Sequence, residues 1–130
     1  MKINELVKEA YQNAKEKGWH DKEREPLEVH ALIHSEISKA TEEVRQDNPP
    51  AYHLIKDESF ETVPVFEVVE PHHDNWDDCQ KPNGEAIELA DAVIRIADYF
   101  GERGWDLEEA IQLKMQYNKT RDYRHGNKKF

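Results

Sequence analysis

The chain is short of cysteine, of long apolar runs and of positive charge. Its single cysteine, Cys79, excludes an internal disulfide and suits a reducing compartment. No stretch approaches the ~20 apolar residues that a bilayer-spanning helix needs. Met1 to Val7 is amphipathic, without the apolar core of a secretory signal. A soluble, cytoplasmic protein with no membrane partner is therefore expected. Lysine and arginine number 18 against 28 aspartates and glutamates, a formal net charge of −10. That balance argues against nucleic acid as a partner, because a phosphate backbone needs a basic face. Internal repeats and separating linkers are also lacking, so residues 1–130 are expected to form a single domain with a modest core. A mean hydropathy of −1.00 is polar for a globular chain, but the helical periods are too regular for disorder.

What is present centres on Glu85 to Gly101. At ~100° per residue, Ile87, Leu89, Ala90, Val93, Ile94, Ile96, Ala97 and Phe100 cover most of a helix circumference. Such a helix is expected to be buried by neighbours. One narrow stripe interrupts it: Glu88, Asp91, Arg95 and Asp98. Burying ionised carboxylates is costly unless a cation or metal compensates. Two arrangements would do so. One is an intrahelical ion pair, since Arg95 lies four residues after Asp91 and seven after Glu88. The other is a divalent cation held by Glu88 and Asp91.

Ile3, Leu6, Val7, Ala10, Tyr11 and Ala14 predict a helix over 3–17, capped near Gly18. Trp19-His20 at its exit reads as a core anchor for the turn or as a base-stacking platform. Pro26 suits the first turn of a helix over 27–47, with Val29, Ile33, Ile37, Ala40 and Val44 along one face. Glu36 and Glu43 fall at the margin of that face, and Lys39 lies further toward solvent. His30 and His34, one turn apart on the opposite margin, lack a third ligand and read as packing or surface residues. Asn48-Pro49-Pro50 ends the helix.

The insert at about 48–84 is expected to be irregular or to carry a small hairpin pairing Tyr52–Ile55 with a strand over Thr62–Val69. His72, His73 and Cys79 match no tetrahedral zinc spacing and read as a solvated loop. Asp106, with Glu109 three residues on, predicts the N-cap of a last helix over 106–121. On it Lys114, Asn118 and Arg121 share a face, and Arg124, His125, Lys128 and Lys129 follow. Such a cluster is either an anion site or a set of cations complementing a helix C-terminus.

Four blocks stand in order along the chain: Lys17-Gly18-Trp19, Ala31 to Ser38, Lys81 to Gly84 leading into Ile87 to Asp91, and Tyr117 to Arg121 with His125-Gly126. In these the sequence resembles the all-α NTP pyrophosphatases, the MazG-like nucleotide pyrophosphohydrolases. The resemblance implies an all-α bundle of about four helices, completed as a homodimer or homotetramer. It implies Mg²⁺-dependent hydrolysis of a nucleoside triphosphate to the monophosphate and pyrophosphate. Glu36, Glu88 and Asp91 map onto the family's catalytic and metal-binding carboxylates. Lys114, Asn118, Arg121 and His125 become the expected substrate contacts, with Trp19 and Lys39 as further candidates. One position departs, since Lys39 stands where the family has a second glutamate, and an ammonium cannot ligate Mg²⁺. Glu43 could take its place, Lys39 could bind phosphate, or one metal site could be lost. The remaining alternative is a catalytically impaired nucleotide-binding or structural bundle.

Overall fold

The computed structural model describes residues 2–54, 62–64 and 81–129. Along the chain run α1 (Ile3–Glu16), α2 (Pro26–Arg45), β1 (Tyr52–Leu54), β2 (Thr62–Pro64), α3 (Glu85–Arg103), α4 (Leu107–Lys119) and the one-turn α5 (Arg124–Asn127). The class is the expected one, all-α with four long helices. Among the described residues no helix is long and apolar enough to cross a membrane. The chain divides into two compact units, Met1–Glu23 with Ile96–Phe130, and Arg24–Arg95. The first part of α3 belongs to the second of these and its remainder to the first.

In the unit built from α1, the end of α3, α4 and α5, the apolar stripe of α1 meets α3 and α4. Val7, Ala10, Ala97 and Leu107 are buried together, with Ile3, Leu6, Phe100 and Ile111 packed around them. Asp106 caps α4 as expected, accepting from the Glu109 amide at 2.9 Å. It also accepts from the Asn4 side chain at 3.1 Å, which ties α1 to the start of α4. The central helix runs two residues past Gly101, where the sequence suggested a stop. Gly101 serves a different purpose, because a Cβ there would lie 2.5 Å from Tyr11 Cβ. Glycine lets α1 approach, and the helix ends instead at Gly104, with Trp105 N donating back to Phe100 O at 3.0 Å.

The unit Arg24–Arg95 holds α2, the small hairpin and the first part of α3. Pro26 occupies the first turn of α2. Val29, Ala40, Ala51, Tyr52 and Ala92 are buried. β1 and β2 pair antiparallel, with Tyr52 opposite Pro64, His53 opposite Val63 and Leu54 opposite Thr62. Residues 65–69 of the expected second strand lie outside the described residues, as do His72, His73 and Cys79. Tyr52 also exchanges backbone hydrogen bonds with Asn83, at 2.9 and 2.7 Å. Gly84 follows with φ +115, and a Cβ there would sit 2.4 Å from Pro50 O. Only glycine fits that close approach. These contacts, with Ala86 N donating to Pro50 O at 2.9 Å, join the start of α3 to the residues that follow α2. They fix which α3 side chains face Glu36.

The burial expected around all of α3 does not hold within one chain. Ala92 and Ala97 are buried, while Leu89, Val93 and Ile94 are 42, 50 and 46% exposed. One chain covers part of that apolar circumference.

Candidate metal centre

Glu36 lies seven residues after Val29 and four before Ala40, on the face of α2 that packs inward, and it is 0% exposed. Across from it α3 presents Glu88 and Asp91, one turn apart and half-buried. One carboxylate oxygen from each of the three lies within 4.8 Å of the others. Two ionised carboxylates at that separation repel by roughly 3 kcal/mol at an effective dielectric of about 20. Positive charge must therefore stand nearby.

Two cations do. Arg95 Nε donates to Glu36 Oε1 at 3.0 Å, and Lys39 Nζ donates to the same oxygen at 3.4 Å. Arg95 thus reaches across to α2 rather than hydrogen-bonding Asp91 or Glu88 on its own helix. The most deeply buried carboxylate takes the guanidinium. Glu36 Oε2 has no partner, and among the described residues it is the one buried side-chain polar atom so placed. Its neighbours Glu88 and Asp91 are acceptors unless one of them carries a proton. An unsatisfied buried acceptor costs about 1–3 kcal/mol.

The electrostatics follow from this geometry. Burial pushes the Glu36 carboxyl up, but the Arg95 hydrogen bond, sharing with Glu88 and the charges of Lys39 and Arg95 outweigh it, so the net direction is down. Glu88 is raised, by burial first, then by a hydrogen bond to Glu36 that exists only when Glu88 carries the proton, and by the charge of Glu36. Asp91 is raised by burial and by the Glu36 charge, against which Arg95 pulls only by its own charge. The site therefore keeps Glu36 ionised and draws the other two toward neutrality. A divalent cation beside them would lower both.

Glu43 is not one of the three residues that converge. Its Oε2 accepts from Tyr52 OH at 2.6 Å and from Asn48 Nδ2 at 2.7 Å. Burial and the Glu43 carboxylate push the Tyr52 phenol up to about 12. Glu43 thus anchors the chain that leaves α2. His30 and His34 are exposed.

The other candidates lie in the other unit, apart from Lys39. The Lys39 side chain is 59% exposed while its ammonium rests on Glu36. Lys114 Nζ lies 5.0 Å and the Arg121 guanidinium 5.5 Å from the centroid of the Tyr117 ring. Lys114 and Asn118 are exposed, and Arg121 lines an open groove of ≈ 310 Å³ with Tyr117, Thr120, Asp122 and Gly126. His125 falls in α5. Trp19 is 57% exposed, so the anchor of the α1 exit is His20 instead. The His20 ring sits between Asp98 Oδ1 and Glu102 Oε2, 2.7 Å from each, and meets Tyr11 edge-on at 5.0 Å. That contact accounts for Asp98, the last member of the acidic stripe. Sequence reasoning missed the His20 clamp and the Tyr52–Glu43 pair, and spacing carried no signal for either. The partners of His20 lie 78 and 82 residues away. No family model, curated protein or solved structure matches the chain.

Proposed function

We propose that the protein is a Mg²⁺-dependent, MazG-like nucleotide pyrophosphohydrolase that cleaves a nucleoside triphosphate to the monophosphate and pyrophosphate. One observation carries the reading: three carboxylates from two helices converge around a buried, unpartnered oxygen of Glu36. The donor set fits Mg²⁺, which takes hard oxygen ligands from a few carboxylates and keeps several waters. Glu36, Glu88 and Asp91 would hold the cation. When bound, it supplies neutralisation of phosphate charge and activation of water.

The chain's own groups do the rest. Arg95 keeps Glu36 ionised and oriented. Lys39, with its exposed stem, can swing from Glu36 to a phosphate oxygen at little cost. Within the other unit, Lys114, Asn118 and Arg121 are proposed as an anion-binding face, Arg121 through a bidentate fork. His125 and Trp19 complete the proposed substrate set. The exposed Leu89, Val93 and Ile94 on α3 support a homodimer or homotetramer with a two-fold interface. The proposed setting is the cytoplasm.

The test is pyrophosphate release from a panel of nucleoside triphosphates. Release that needs Mg²⁺ and is lost in Asp91→Asn is the expected result. A second reading has its own support, because Lys39 and Arg95 already occupy Glu36 Oε1. On that reading the bundle binds nucleotide without turnover. Mg²⁺-dependent nucleotide binding with no pyrophosphate released would favour it.

A further inference from the structure

Resting on the metal reading above, we propose that the centre takes a single divalent cation per chain, because Lys39 and Arg95 bring positive charge and no ligand to the place where a second ion would need carboxylate oxygens. The first ground is charge. With all three carboxylates ionised, Lys39 and Arg95 leave the cluster one net negative charge. One divalent ion turns that into one net positive charge. A second ion would have to enter a site already carrying surplus positive charge.

The second ground is the supply of oxygens. Three carboxylates offer six, and Glu36 Oε1 is already shared by two cations at 3.0 and 3.4 Å. An octahedral ion with ligands at about 2.1 Å holds oxygens about 3.0 Å apart in cis and about 4.2 Å apart in trans. Ligand atoms within 4.8 Å of one another can close on one such ion with sub-ångström shifts. A pair of ions about 3.5–4 Å apart needs bridging and terminal oxygens on both sides. Beside Glu36 that space is taken by the Lys39 ammonium, which can donate but cannot ligate.

Lys39 is then the residue that sets the count. It sits one turn from Glu36 on α2, so a carboxylate at position 39 would face the same site. The exposed stem of Lys39 makes the substitution safe for folding.

The test is a titration of Mn²⁺ into the metal-free protein, followed by electron paramagnetic resonance. Free ion is counted from its six-line signal, and ions also bound by Asp91→Asn are subtracted as belonging elsewhere. The expected result is one ion per chain with no Mn–Mn coupling. K39Q should still bind one, because it adds no ligand for a second ion and Arg95 stays on Glu36. K39E should bind two, with a dipole-broadened, coupled spectrum. Two coupled ions in the unaltered protein, or one ion in K39E, would overturn the inference while leaving the metal reading intact. No ion lost on Asp91→Asn would remove the metal reading itself, and the inference with it.

Discussion

Replacing Arg95 by leucine tests the electrostatic frame of the site in the absence of any ligand. Glu36 is 0% exposed, and its ionised form is held by Arg95 Nε at 3.0 Å and by Lys39 at 3.4 Å. Removing one partner of a buried ion pair typically costs about 3–5 kcal/mol. Here Lys39 remains and the Arg95 side chain is 27% exposed. The loss should therefore fall at or just below the lower end of that range, at about 2–3 kcal/mol. In a chain of this length that corresponds to a drop in Tm of roughly 8–12 °C.

The pH dependence of this loss has a definite sign. Arg95 contributes to a Glu36 carboxyl held below its ordinary value of 4.5. Its stabilisation is full above that value and fades as pH falls through the lowered one. Urea denaturation in EDTA should thus show the full loss at pH 7 and a smaller one near pH 3. Mg²⁺ should stabilise each protein by about 2.7 kcal/mol at a hundredfold excess over its own Kd, for an ion that binds only the folded state, and at one fixed concentration should stabilise the variant more than the unaltered protein. A loss below about 0.5 kcal/mol at pH 7, or an equal loss at both pH values, would refute this account of Glu36.

Three further substitutions probe the site and its supports. Asp91→Asn should stabilise the metal-free protein at pH 7, because the Asp91 carboxyl is raised by burial and by Glu36 and is strained when charged. Melting curves should show that gain shrinking as pH falls toward the ordinary value of 3.8, where Asp91 is itself neutral. Destabilisation at pH 7 would mean that Arg95 depends on Asp91. His20→Ala should cost about 2–3 kcal/mol by chemical denaturation, since the ring meets carboxylates at both nitrogens and hydrogen bonds to charged groups are worth about 1.5–3 kcal/mol. A cost under about 1 kcal/mol would reduce the clamp to a surface contact. Gly101→Ala should destabilise by about 1–3 kcal/mol from overpacking against Tyr11, although alanine is the better helix former by about 1 kcal/mol. A rise in stability would show that α1 can give way.

The long elements were legible because each carries its own period and its own stop. Pro26 at the head of α2 and Asp106 before α4 mark the structure as well as the sequence. The hairpin was legible from the β-branched run at Thr62-Val63, and its described part pairs as expected. Gly101 misled because a glycine that relieves a clash with Tyr11 looks, in sequence, like one that ends a helix. The apolar wrap over most of α3 is covered only in part within one chain. Periodicity reports what a helix must bury, not whether its own chain supplies the cover, and Val93 is left half-exposed. At the site, the three converging carboxylates were readable from spacing and resemblance together. The pairing was not, because Arg95 meets Glu36 across 59 residues of chain. No local pattern encodes such a contact. Glu43 looked like a spare ligand at the right margin of α2, yet Tyr52 and Asn48 claim its Oε2.

The central claim is that Glu36, Glu88 and Asp91 together hold a divalent cation, and the anomalous scattering of Mn²⁺ in crystals of the protein tests it most directly. The account predicts a single peak between α2 and α3, with an oxygen of each of the three carboxylates at about 2.1–2.2 Å and waters completing the shell. Crystals soaked in Mn²⁺ that show no peak there, with Arg95 and Lys39 still on Glu36 Oε1, would contradict it.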